Sequence, residues 1–297
     1  MSVKGKVSSI IGQITVYGSL FILFAVTFFP FWNIFVLSLN EAGDSMRGGI
    51  FLWPRKISID SYLAVFRNEE ILSSLKITLL RTAIGVPSTV ITTSMLAYGL
   101  SKKELVGRKF INLFFIFTMY FSGGLVPTYI VIKMLGLIDK LAVLILPNMI
   151  NVFWMLLLRT YMEGLPKELE ESAKIDGAND IIIFARIILP VCIPVLATVT
   201  LFSAISHWNS WYDSHIYTYK PELKTLSAIL VQILNQYQTG SMLSEAQQLA
   251  NDAKKMRVSS ESIRMAVTMV ATLPIIIVYP FIQRYFTKGI MIGAIKG

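Results

Sequence analysis

Residues 7–40 read VSSIIGQITVYGSLFILFAVTFFPFWNIFVLSLN, thirty-four positions without one charged side chain. A helix that crosses a bilayer needs about 20 consecutive apolar residues, because the hydrocarbon is roughly 30 Å thick and each residue adds about 1.5 Å. A charge inside such a helix costs about 2.5–3.5 kcal/mol on insertion scales. Lys4 and Lys6 precede the run, as in a secretory signal. A signal core is only about 7–15 residues long and ends at a small-residue cleavage site, and no such site follows here. The stretch therefore reads as a retained first span.

Working outward, five more charge-free apolar runs follow, at 82–101, 110–132, 141–158, 187–212 and 265–283. The composition agrees: 54% of residues are hydrophobic and only 15% charged, against about 25% charged in soluble domains. Mean hydropathy is +0.62. A cytosolic globular enzyme is excluded. A further charge-free stretch, 225–244, is about half polar. Its Leu226, Ile229, Leu230, Ile233, Leu234 and Tyr237 form one stripe at helical spacing, which predicts an amphipathic helix rather than a span.

The expected fold class is an all-α polytopic membrane protein with six transmembrane helices in one domain, 1–297. The spans fall at about 10–39, 77–101, 110–132, 141–161, 185–207 and 264–285. A loop at 163–182 and an extracytoplasmic segment at 213–262 connect them. An even span count puts both termini on one side. That side carries 13 Lys+Arg in 56 inter-span residues, the other 14 in 101. Lys102, Lys103, Arg108 and Lys109 crowd one of its short loops. The denser side is read as cytoplasmic, so the net charge of +9 reflects topology and no nucleic-acid partner is expected. Cys192 is the only cysteine, which excludes an internal disulfide, and with two histidines it leaves too few ligands for a zinc site. No P-loop sequence is present.

Eight prolines lie in the spans: Pro30, Pro87, Pro127, Pro147, Pro190, Pro194, Pro274 and Pro280. Each removes a helix hydrogen bond. Gly123 and Gly124 before Pro127 predict a further break. Broken helices suit a transport path, where neighbouring groups satisfy the freed carbonyls.

The longest loop on the cytoplasmic side, 159–186, is the most informative. Pro166 suits a helix first turn, Glu168, Glu170 and Glu171 complement the helix dipole there, and Gly177 suits a left-handed stop. A short helix over 166–176 is expected, with Asn179 or Asp180 capping the next one.

Glu171-Ser172-Ala173, Asp176-Gly177-Ala178 and then Ile188-Leu189-Pro190 resemble the Glu-Ala-Ala loop of ABC importer permeases. Ser172 departs from the usual alanine. Phe184, Pro194 and the closing stretch 283–297 resemble the carbohydrate-uptake, maltose-transporter-type branch. The resemblance implies a type I importer permease fold with a short cytoplasmic coupling helix. It assigns Glu170, Glu171, Ser172, Ala173, Asp176, Gly177, Ala178, Leu189 and Pro190 to ATPase coupling, with no catalytic residue. It implies a second permease, two ATPase subunits, an extracytoplasmic binding lipoprotein and a sugar substrate. ATP and Mg belong to the ATPases, so no cofactor is expected in this chain.

Polar and aromatic residues inside spans are pathway candidates: Tyr120, Tyr129, Asn148, Asn151, Trp154, Ser206, Trp208, Asn209 and Trp211. Aromatic faces stack on sugar rings while amides bond hydroxyls. Against this, Trp208 and Trp211 also suit an interfacial belt, and Asn148 also suits helix–helix glue. Arg81, near the outer end of the second span, is expected to snorkel to headgroups. His207 and His215 receive no role. An ion-coupled secondary transporter or channel is the alternative function, but it calls for carboxylates inside spans and none lies in the six runs. A non-transporting receptor or a membrane enzyme fits less well.

Overall fold

The computed structural model describes residues 3–45, 47–240 and 260–294. Most of the second half of the expected 213–262 segment, 241–259, and the last three residues of the sugar-permease-like tail lie outside the described residues. No strand occurs among the described residues; the nearest to one is a single bridge between Asn40 and Ile57.

In chain order the principal helices are α1 (Val3–Ser38), α2 (Asp60–Arg67), α3 (Glu69–Ser101), α4 (Arg108–Tyr120), α5 (Leu125–Met134), α6 (Val152–Glu163), α7 (Glu168–Ile175), α8 (Asp180–Val191), α9 (Ile193–Asn209), α10 (Tyr212–Tyr217), α11 (Leu226–Gly240) and α12 (Ser260–Ala294). Three stretches, Gly12–Ser38, Glu69–Ser101 and Glu261–Val278, are by themselves long and apolar enough to cross a bilayer. Three bent pairs reach that length together: α4 with α5 at 116°, the Leu141–Asn148 turns with α6 at 45°, and α8 with α9 at 85°.

The bends sit where the sequence removes backbone support. Gly124 adopts φ +81° between α4 and α5. Pro147 occupies a 3-10 turn before α6. In α8 a π-helical turn, Phe184–Ile188, precedes Pro190, and Pro194 opens α9 after the break at Cys192. A π turn is a single-turn bulge in an α-helix, and Pro190 supplies no N–H to continue the ladder. Four of the eight span prolines behave otherwise: Pro30, Pro87, Pro274 and Pro280 lie within helices that run on through them. One proline forfeits one bond, and in these three helices that loss alone does not end the helix.

The chain divides into two compact units. The first comprises 1–68 and 233–272. In it, residues 12–31 of α1 are exposed all round, and Phe24, Phe28 and Trp32 stack along one face at centroid spacings of 5.1 and 5.9 Å. The turn after α1 is held by Asn40, whose amide donates to Asp44 at 3.1 Å and accepts from the Lys56 N–H at 3.0 Å.

The second unit comprises 69–232 and 273–297. Its core forms where α3 packs against α6 and α9. Ala97, Leu100, Met155, Leu158, Ile183 and Val199 are buried together. A smaller cluster near the other end of α3 joins Ile77, Ile132, Val143, Leu144 and Tyr217.

Candidate functional site: the loop between the fourth and fifth apolar segments

Helix α7 is eight residues long, two turns rather than the three expected, because Pro166 and Lys167 remain outside it. Its C-terminus is closed by two bonds, Ala178 N–H to Ala173 O at 2.9 Å and Gly177 N–H to Lys174 O at 3.0 Å. Gly177 sits at φ +80°. This is the Schellman arrangement, which satisfies carbonyls a helix end leaves open. Asn179 then caps α8 by accepting from the Ile182 N–H at 2.9 Å. The chain is thus stopped, turned and restarted by local chemistry alone.

The side chains of this loop divide into two sets. Ala173 is buried in the core of the unit, so it anchors the helix and does not face outward. Glu170 pairs with Lys102 at the end of α3, and Lys102 also lies 4.1 Å above the Tyr98 ring. Burial pulls the Lys102 pKa down, but its interactions with Glu170 and Tyr98 outweigh burial and leave it raised. Arg108 holds Glu163 and donates to Leu100 O at 2.7 Å. These pairs fix the loop to the ends of α3, α4 and α6. Glu171, Ser172, Asp176 and Gly177 are exposed, as is Ile175 at 86%. Ser172 bonds back to Glu168 O at 2.8 Å. Leu189 is half-buried and Pro190 exposed on α8. A cleft of about 510 Å³ opens beside the helix, lined by Tyr98, Lys102, Lys174, Asp180 and Phe184 among others.

The pathway candidates are not brought together as one set. Asn148 and Asn151 do not share a helix face: Asn148 ends a 3-10 turn and Asn151 caps α6, accepting from the Trp154 N–H at 3.1 Å. Tyr129 bonds the Tyr219 hydroxyl at 2.7 Å. Trp208 is buried, so it is no interfacial side chain. Trp154 is half-buried, while Tyr120, Ser206, Asn209 and Trp211 are exposed. Trp211 meets Tyr212 edge-on at 5.7 Å.

Arg81 does not snorkel. It is 1% exposed and forms a two-pronged ion pair with Asp213, its Nη1 standing 3.1 Å from Oδ1. A second set absent from the sequence reading is a threonine row on α3. Thr89 donates to Asn148 O at 3.3 Å, and Thr92 and Thr93 to Met149 O at 2.7 and 3.4 Å. The carbonyls freed by the break before α6 are met by a neighbouring helix, one of the ways in which broken membrane helices are tolerated. His207 is buried against Gly85 and lies 3.2 Å from the Thr89 hydroxyl.

Long apolar helices and broken apolar pairs, with a capped acidic helix presented between the fourth and fifth apolar segments, define a membrane-embedded transport subunit. Residues 57–292 match the family described as "Binding-protein-dependent transport system inner membrane component". The chain belongs to this family: it is an ABC transporter permease of the cell membrane, a transport subunit and not an enzyme. It is 36% identical to the Bacillus subtilis polygalacturonan/rhamnogalacturonan transport system permease protein YtcP, covering 95% of this chain and 97% of that protein. It is 37% identical to the B. subtilis protein LplC, over 92% and 90% of the two chains. Among solved structures, a chain of a bacterial ABC transporter that imports the acidic polysaccharide alginate superposes with a TM-score of 0.84 at 29% identity, covering 96% of this chain and 99% of that one. These relatives place the chain in the carbohydrate branch of the family.

Proposed function

We propose that this chain is one of two permeases of an ATP-driven importer that carries an oligosaccharide inward across the cytoplasmic membrane by alternating access. The substrate arrives on an external binding protein, and two separate ATPase subunits supply the energy. The three long helices and three bent pairs act as six spans, with both termini and α7 on the cytoplasmic side. The names of the relatives favour fragments of polysaccharides, acidic ones included, over monosaccharides. Tyr120, Trp154, Ser206, Asn209 and Trp211 are the side chains best kept as sugar contacts, since Asn148, Asn151 and Tyr129 already serve the fold.

The observation that carries the reading is the capped helix α7. Two of its turns, its stop and the restart of α8 are all specified locally, while Glu171, Ile175 and Asp176 are left facing out. A loop with no partner gains nothing from that pre-organisation; a docking handle does, because fewer degrees of freedom are lost on binding. Closure of the ATPases on ATP then draws α7 along, and with it the segments on either side. The test is Glu171→Lys in the whole importer. The variant reaches the membrane in normal amount while uptake and ATPase stimulation fall together. Normal values for both would remove the docking role.

A further inference from the structure

The handle lies between the fourth and fifth segments at one end, yet the substrate must be gated at the other end as well, about 30 Å away. Whatever ties those segments together there decides whether the pull arrives. The tie is built around Asp213. Its carboxylate accepts both Arg81 Nη groups, the Ser210 hydroxyl at 2.9 Å, the Ser214 N–H at 2.8 Å and the Asn148 amide at 3.4 Å. Arg81 also donates to Ser210 O at 3.1 Å. One carboxylate thereby joins α3, the turn that opens the fourth segment and the end of the fifth. The threonine row Thr89, Thr92 and Thr93 continues the seam along α3.

We infer that Arg81 and Asp213 are positioning residues: a clasp that stays closed through the transport cycle and makes α3 and the fourth and fifth segments a single lever. This rests on the coupling role proposed for α7. Three observations favour a permanent clasp over a gate that opens. Arg81 is 1% exposed, so its charge has no aqueous alternative nearby. Asp213 is met by five donor contacts from three segments. At the other end of the same segments, Lys102–Glu170 fixes α7 to the end of α3, and Arg108 joins the start of α4 to the end of α6 through Glu163 and to α3 through Leu100 O, so the lever is pinned at both ends.

The experiment uses the complex purified with its natural ATPases in lipid nanodiscs. Spin labels at Ile150 and Tyr212, both exposed and on either side of the clasp, report the distance across it. The clasp predicts one narrow distance that is the same without nucleotide and in the ATP-trapped state. In Arg81→Met/Asp213→Asn, which removes both charges and strands neither, the distribution broadens and shifts on ATP trapping, while ATP hydrolysis continues. Arg81→Lys, which keeps the opposite charges but not the fork, holds the distance independent of nucleotide. A merely stabilising pair would lower thermal stability without making the distance depend on nucleotide. A wild-type distance that changes on ATP trapping, or a double variant that behaves as wild type, overturns the inference. Failure of any ATPase to copurify removes the coupling reading itself, and with it the basis of the lever.

Discussion

Replacing Gly177 isolates one physical effect. A Cβ added there meets no atom within 4 Å, so sterics with the surroundings contribute nothing, but the residue sits at φ +80°. An L-residue with a side chain in the left-handed region costs roughly 1–2 kcal/mol, and asparagine tolerates it better than other residues. The two bonds that close α7, from Ala178 and Gly177 to Ala173 and Lys174, depend on this conformation. One to two kcal/mol lowers the ratio of correctly stopped to other loop conformations by a factor of about 5–30. If docking requires that conformation, apparent affinity for the ATPase falls in proportion to the competent fraction lost. Gly177→Ala is expected to weaken binding of the purified ATPase to the nanodisc-embedded permease by at most about 30-fold, the full factor applying only where the stopped loop is no longer the dominant state. Gly177→Asn lies between alanine and wild type. Equal affinities across the series, or asparagine weaker than alanine, would refute the claim that the pre-formed stop matters.

Further expectations concern packing and charge. A Cβ at Gly85 would lie 2.6 Å from the buried His207 ring, so Gly85→Ala destabilises by about 1–3 kcal/mol through overpacking, and adding His207→Ala recovers part of the lost thermal stability. An unchanged melting temperature for Gly85→Ala would contradict the packing described. Lys102→Glu sets two acids side by side and loosens α7, whereas Lys102→Glu/Glu170→Lys restores ATPase binding; a swap no better than the single change would mean the pair is incidental. Because the Lys102 pKa is raised, the pair's contribution is complete below 10.5 and fades only as pH rises through the still higher folded value. Its effect on ATPase binding is therefore flat across neutral pH, and a binding curve titrating there would count against it.

The membrane character and the loop were legible because both are local. Charge-free length reports a span, and Gly177 and Asn179 announce a stop and a cap without help from the rest of the chain. The break at Gly123 and Gly124 is of the same kind. The contacts that hold the segments together were not legible, since they join distant residues. Arg81 and Asp213 are 132 positions apart, and an arginine near a span end reads alone as a headgroup anchor. The threonines of α3 were silent for another reason. A threonine in a helix usually bonds back to its own turn, as Thr78 and Thr82 do, and only the fold shows that Thr92 also reaches Met149. An unbroken helix through the fourth apolar run would set Asn148 and Asn151 on one face; at Pro147 the chain instead breaks into 3-10 turns and restarts at Asn151.

The most direct test of the coupling claim is photo-crosslinking from α7 within the native complex. A benzophenone side chain at Ile175, which is 86% exposed, is expected to capture a separately encoded nucleotide hydrolase. The same probe at Ala173, whose side chain faces the permease core, is expected to yield only adducts within this chain. Capture of no hydrolase from Ile175, or labelling of a cysteine there by a membrane-impermeant reagent outside intact cells, would contradict the account.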